Sequence, residues 1–482
     1  MLKTIVRKEI LENILSYRFP LFFLICALLI LVSLYVHDRD YDKRVRDYSE
    51  QVRLAGNELA ASRMSDIHMG RISIRGFWPP VPLSVLAVGF EAALPQYYEF
   101  QPEGPKPGSA AGADESILSA FGKLDFVFII QMVASLIVLL FASDQIAGEK
   151  EMGTLRAIFS NGVPRHTVLL GKLAGGFLTV WIPFLTTFLL GMILLGILSF
   201  PLDGAGIPAR LASVFVAASL FLLAYYVIGL MVSASSARSR TSLVAILLVW
   251  IVFQAVIPRL SDMLASVIHP IPTETVVSMQ KSLAVKTIDR EKAMALGAKY
   301  EELFGPVGAS TNPPAEPEAE KKVYEAFQTE WETRARDQKA SQLRDIESAF
   351  RREKKKQRAI ALGISLLSPS AAFSRLLTDL CGTGEIDRAN YQQSVQDHQR
   401  TLDAALYGFV QKTTRIYPSG GTSSSSSITK SVDLQSIPAF SVRRSSLGEA
   451  LAGNWGSLIS LVFWLVAPFA AAYVRFVKYD VR

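Results

Sequence analysis

The chain has 482 residues, half of them hydrophobic, with a mean hydropathy of +0.28 and a formal charge of +7. Its 2 cysteines exclude a disulfide framework, and its 5 scattered histidines, with no H-E-x-x-H or C-x-x-C spacing, point away from a metal site. The apolar residues gather in six blocks, 19–36, 124–143, 173–198, 211–233, 242–258 and 456–474, none holding Lys or Arg. Each is near the roughly 20 residues a spanning helix needs. The expected fold is an all-α membrane protein of six spans with a large, mainly helical extracytoplasmic domain.

Residues 1–18 read as an amphipathic helix. Leu2, Ile5, Val6, Ile10, Ile14 and Leu15 fall near one face with the charges opposite, a pattern that lies in the membrane interface and can act as a lever into span one. Span one, residues 19–36, is read as retained rather than cleaved. Its apolar run is long for a signal peptide, and His37-Asp38-Arg39-Asp40 stands where small residues would be. The charged run after it reads as the same helix continuing outward, with sparse apolar Val45, Val52, Leu54 and Leu59. Prolines at 79, 80, 82 and 95 forbid one continuous helix over residues 76–100. The apolar stretch 83–94 either lies in the outer interface, with Trp78, Tyr97 and Tyr98 at headgroup level, or is buried in the outer region. Residues 101–112 read as a Pro/Gly loop within the first outer region, 37–123.

Span two, residues 124–143, leads into a charged insert, 144–172, and then into span three, 173–198, which is long enough to tilt. Spans four and five, 211–233 and 242–258, are separated by Arg238 and Arg240. The large region 259–455 follows. It offers helices at 273–303, 318–357 and 385–415, a Pro-rich linker at 306–317 and a Gly/Ser tract at 420–427. Together these suggest a helical bundle or hairpin. Residues 359–367 are apolar and either pack in its core or dip into the bilayer surface. Span six is 456–474, and 475–482 is a tail.

Orientation follows from Lys and Arg in the short flanks. Residues 1–18, 144–172, 234–241 and 475–482 fall on one side of a six-span chain and hold 13 basic and 6 acidic residues, a surplus equal to the +7 of the whole protein. That side is expected to be the cytoplasm, with both termini in it. The basic balance is therefore an orientation signal and points to no nucleic acid.

The insert is short, polar and rich in helix formers. Residues 145–160 are predicted as a helix along the membrane face, with Glu149 and Glu151 near its start and Arg156 nearer its end, as the helix dipole favours. Gly153 permits close approach by another backbone, and Met152, Leu155, Ile158 and Phe159 offer an apolar stripe for docking. Asn161-Gly162-Val163-Pro164 ends the helix. The insert either docks a partner or merely links two spans. Gly171-x-x-x-Gly175 is a weak signal for close helix packing. No G-x-x-x-x-G-K-[ST] occurs, and no catalytic pair stands out, so the chain is not expected to be an enzyme. Gln131, Thr179, Thr186, Thr187, Tyr225, Tyr226 and Gln254 lie within spans, where they line a pathway or hydrogen-bond between helices.

In order along the chain, Lys8-Glu9, the run Glu149, Glu151, Gly153, Thr154, Leu155, the turn Pro164, Arg165, and Gly171, Lys172 at the start of span three resemble type-2 ABC transporter permeases. Pro82-Leu83-Ser84-Val85 with Gly89, and Ser368-Pro369 with Gly382-Thr383, resemble a subfamily with enlarged extracytoplasmic regions. The resemblance implies one half of a homodimer or paralogous heterodimer in a bacterial cytoplasmic (inner) membrane. It implies that Glu149, Glu151, Met152, Gly153, Thr154, Leu155, Arg156 and Phe159 meet a separate ABC ATPase subunit. ATP and Mg would be held by that partner, with no cofactor on this chain and lipid around the spans. The implied function is the permease subunit of an ATP-driven exporter. A mechanotransmitting subunit that drives an extracytoplasmic partner, and a membrane scaffold without an ATPase, are the alternatives.

Overall fold

The computed structural model describes residues 2–61, 74–91, 94–101, 104–108, 124–160, 163–198, 200–204, 206–305, 318–414 and 439–478. The expected linker 306–317, the Gly/Ser tract 420–427 and Asn161-Gly162 lie outside them. In chain order, α1 (Leu2–Ile14) and α2 (Arg18–Ala61) precede β1 (Ile74–Phe77), β2 (Tyr97–Gln101) and β3 (Gly104–Pro107). Next come α3 (residues 126–142), α4 (Ala147–Glu151), α5 (Thr154–Ser160), α6 (Arg165–Ile197), α7 (Ile207–Ser235) and α8 (residues 239–256). Then follow α9 (Ile257–Ile268), α10 (Glu274–Phe304), α11 (Glu318–Ser365), α12 (Pro369–Cys381), α13 (Glu385–Thr414), α14 (Leu447–Gly453) and α15 (Trp455–Val477). Among the described residues, six helices are long and apolar enough to cross a membrane, beginning at Arg18, Phe126, Arg165, Ile207, Ser239 and Trp455.

Residues 1–256 with 366–482 form one compact unit, and 257–365 form another. In the first, α7 is the central helix. Two-thirds of its apolar window (67%) is buried, against 28% for α2 and α15, so those two keep wide apolar faces outward. Phe221, Tyr225 and Tyr226 on α7 are fully enclosed.

Helices α3 and α8 each contain a π-helical segment, Ile129–Ala134 and Val252–Val256, and each segment carries a glutamine. Gln131 Nε2 donates to Gln254 Oε1 at 3.2 Å, and Gln254 Nε2 donates to Ser135 Oγ at 3.2 Å and Tyr225 OH at 3.4 Å. Of the polar groups noted in the spans, Gln131, Tyr225, Gln254 and Tyr226 therefore bond between helices. Thr179 and Thr186 instead turn back onto Gly175 O and Ile182 O of their own helix.

Helix α12 is a buried element not anticipated among the spans. Ser368 accepts from Ala371 N to cap it, Pro369 opens it, and Gly382 at φ +75° ends it in the left-handed region that suits glycine. Phe373 stacks on Phe221 at 4.1 Å, and Ser370 meets Tyr225. The segment sunk into the core is thus 369–381. The apolar stretch 359–365 closes α11 instead.

A small sheet lies within the mainly helical fold. Residues 74–77 pair antiparallel with 97–101, which pair with 104–107, inside the stretch expected to be a loop. Four-residue strands with two prolines give no period to read. Helix α13 packs on this sheet, burying Tyr391, Val395 and Leu402 with Ile74, Leu94 and Phe100. It belongs to the first unit, whereas the helices at 274–365 lie in the second. Leu83, Val85, Leu86, Ala87 and Leu94 are buried, so the apolar side chains described in this stretch face inward. Phe90 N donates to Thr383 O at 2.9 Å, which joins the stretch ending at Gly89 to the one ending at Thr383. A Cβ on Gly89 would stand 2.4 Å from that same oxygen, which explains the glycine.

The second unit is an antiparallel helical hairpin. Glu274–Lys354, Lys281–Glu347, Asp289–Lys339 and Lys292–Glu332 pair α10 with α11 in steady register. Val277, Ile288 and Ala335 are buried in its seam. Each exposed pair contributes about 0.2–1 kcal/mol at most, so the ladder sets register more than stability.

Candidate functional site

The insert between α3 and α6 is built as two short helices rather than the single one predicted. Gly153 lies at φ +74°, and its N–H bonds back to Lys150 O at 3.2 Å, which ends α4; α5 restarts at Thr154. An added Cβ on Gly153 would meet nothing within 4 Å, so this glycine serves a left-handed turn and not close backbone approach.

The start of α4 is held from within. Ile146 N and Ala147 N both donate to Ser233 Oγ on α7 at 3.0 Å, satisfying amides that a helix start leaves open. The side chains that follow reach outward to other helices. Glu151 Oε2 accepts from Ser239 N at the start of α8 at 2.9 Å. Lys150 Nζ donates to Ala234 O and Ser236 O at the end of α7, where carbonyls lack helical partners. Asp144 pairs with Arg18 of α2 at 2.8 Å. Arg165 donates to Phe476 O and Val477 O at the end of α15. Its guanidinium also lies 5.2 Å over the Phe159 ring.

At the centre sits a buried charge cluster. Lys172 Nζ is 2.9 Å from Glu9 Oε1 and 2.9 Å from Glu149 Oε1, and Lys8 Nζ is 3.1 Å from Glu149 Oε1. Lys172, Glu9 and Glu149 are only 2%, 4% and 8% exposed. Two ammonium groups face two carboxylates, the balance that buried charge requires. Burial draws the Lys8 ammonium down, but the charge and hydrogen bond of Glu149 outweigh it and hold the group above its ordinary value. Glycines let α1 come this close. A Cβ at Gly175 would stand 2.7 Å from Glu9 Cβ and 3.0 Å from Val6 O, and one at Gly171 2.6 Å from Ile5 Cγ2.

The structure divides the residues singled out from the sequence. Glu149 and Leu155 point inward. Leu155 is 1% exposed and packs with Val168, Leu169, Leu230 and Phe476, while Ile158 and Phe159 lie against the same cluster. The expected outward stripe of Met152, Leu155, Ile158 and Phe159 is therefore mostly a core face; of the four, only Met152, at 69%, is open. Glu151, Met152, Gly153, Thr154 and Arg156 form the exposed tip. Pro164 caps α6, with Arg165 beside it, and Gly171 and Lys172 face α1. Lys8, Glu9, Ser233 and Ser239 were missed as site residues. Glu9 carried a signal: at helical spacing it falls among Ile5, Leu2 and Val6, a carboxylate inside an apolar stripe rather than opposite it.

Comparison with known families gives one finding. The family described as ABC-2 family transporter protein matches residues 3–481, nearly the whole chain. No curated protein matches it.

Proposed function

The chain belongs to the ABC-2 family of transporter proteins, and from that membership we propose that it is the permease subunit of an ATP-driven ABC exporter. A separate ABC ATPase binds ATP and Mg and hydrolyses the nucleotide. It docks on the exposed tip Glu151, Met152, Gly153, Thr154 and Arg156, at the cytoplasmic end of a bacterial inner-membrane bundle that works as a dimer. Glu149, Leu155, Phe159 and Lys172 transmit the push rather than receive it.

One observation carries this reading. Residues 144–172 bond to the first, fourth, fifth and sixth spans, through Arg18, Ser233 and Ala234, Ser239 and Phe476, while Lys172 lies within the third. A force on one short segment is then shared by the whole bundle. A mere linker would need no such set of bonds.

The test is Glu151→Lys combined with Arg156→Glu. Reversing both charges at the tip should reduce ATPase co-purification and ATP turnover by about ten-fold or more, a desolvated charge pair being worth over 1.4 kcal/mol. Glu149→Gln should leave assembly intact but lower turnover. If the tip variant assembles and turns over ATP like the wild type, the docking assignment is wrong. The long hairpin favours a second reading, in which the subunit drives an extracytoplasmic partner and moves no substrate. Substrate movement in reconstituted vesicles separates the two.

A further inference from the structure

We propose that α1 carries a binding site for an anionic phospholipid, formed by Lys3 and Arg7 at the rim of an apolar groove. The bases of this helix divide into two kinds. Lys8 turns inward to Glu149. Lys3 and Arg7 are exposed, and among the described residues neither has a carboxylate partner. Spaced four apart, they stand one turn from each other on the same side of the helix.

Between them runs a groove of about 360 Å³ lined by Leu2, Lys3, Val6, Arg7, Ile10 and Leu11. Its walls are otherwise aliphatic. Exposed apolar side chains continue along the chain from Leu11 through Ile14, Leu15 (83% exposed) and Tyr17 (77%) to Leu21, Leu24 and Leu28 of α2. That continuity chooses the occupant. Leu21, Leu24 and Leu28 belong to a helix apolar enough to cross a membrane, so the groove opens on acyl chains. The stems of Lys3 and Arg7 can lie along the groove while their heads reach the phosphate level. A zwitterionic headgroup offsets neither charge, whereas a singly anionic one offsets one of them and draws both bases to its phosphate. The site is independent of the ATPase reading and requires only that α1 lie at a membrane boundary.

A base near anionic headgroups is worth about 1 kcal/mol, or about five-fold in binding, and one singly charged lipid shared by two bases gives about that factor. The full-length protein, purified without partners and titrated by native mass spectrometry, should prefer phosphatidylglycerol over phosphatidylcholine by about that factor. Lys3→Gln with Arg7→Gln should bind the two lipids alike, and Lys3→Arg with Arg7→Lys should keep the preference, which separates charge from misfolding. The proposal is overturned if the wild type shows no preference or the neutral variant retains it. If the neutral variant keeps the preference and instead loses the ATPase in neutral-lipid nanodiscs, the bases serve a protein and the lipid assignment falls. Because lipid binding is read without the ATPase, its failure leaves the exporter reading untouched.

Discussion

Lys172→Met attacks the buried charge cluster at its most enclosed member. Methionine preserves the apolar stem but removes the ammonium that lies 2.9 Å from both Glu9 and Glu149. Deleting one partner of a buried pair costs about 3–5 kcal/mol, because the charge left behind is uncompensated. Lys8 remains 3.1 Å from Glu149, and its side chain, 50% exposed, brings water to the cluster. The cost should therefore fall near the lower limit, about 3 kcal/mol. With tenfold per roughly 1.4 kcal/mol, release of α1 from α6 becomes about 150-fold more frequent. Amide hydrogen exchange over α1, followed by mass spectrometry, reads that release. Adding Glu9→Gln removes the opposite charge from the same contact and leaves Lys8 with Glu149. The double variant should then exchange within about ten-fold of wild type, as expected when a buried pair is removed whole. The reasoning fails if Lys172→Met alone stays within about three-fold of wild type, or if the two single costs simply add.

Four further outcomes concern this joint and the insert beside it. Gly175→Ala should weaken α1 docking by about 1–3 kcal/mol in the exchange assay. Gly171→Ala should cost a similar amount, because its new Cβ stands 2.6 Å from Ile5 Cγ2 and 3.0 Å from Ile5 Cβ, the stiff branch point of that side chain. Gly153→Ala should lower thermal stability by about 1 kcal/mol, since a left-handed residue gains a Cβ, and Gly153→Asn should recover part of it. The Lys8 contribution should be flat across neutral pH. Its group is held above the ordinary 10.5, so the contribution is complete below that value and lost only as pH rises beyond it. Spin labels at the exposed positions Leu11 and Leu170 should keep one separation from about pH 6 to 9 and diverge only above about 10.5.

The spans were legible because a 20-residue apolar run needs no partner to be recognised. All six are present as helices, and the charged continuation of span one is one helix with it, Arg18–Ala61. The sheet was not legible: Ile74–Phe77 and Gly104–Pro107 are short, and two prolines sit in the second. Nor was α12. Its Ser368-Pro369 start and Gly382 stop were visible, but thirteen residues are too few to signal burial among spans. In the insert, the motif residues were found but the facing of Glu149 and Leu155 was not. Periodicity gives the spacing along one helix, and Gly153 breaks that helix in two, so a stripe read across it joins residues that face different ways. Glu149 turns inward because Lys172 and Lys8 wait there, and no local pattern reports a partner 23 or 141 residues away.

Why charges hold this joint, rather than leucines, has a physical answer. A buried pair is seldom more stabilising than apolar packing of the same volume. An apolar α1 would, however, have two homes. With Leu2, Leu11, Ile14 and Leu15 already exposed, it could lie against α6 or slide into the bilayer interface, and along α6 it could shift register. Glu9 permits one docked position, opposite Lys172, and makes the bilayer costly. Replacing the interior charges together, Glu9→Met, Glu149→Gln and Lys172→Met, should therefore leave thermal stability within about 1 kcal/mol of wild type or raise it. The separation between labels at Leu11 and Leu170 should nevertheless broaden from one population to several. A variant that kept a single narrow distance would show that Gly171 and Gly175, without the charges, set the register.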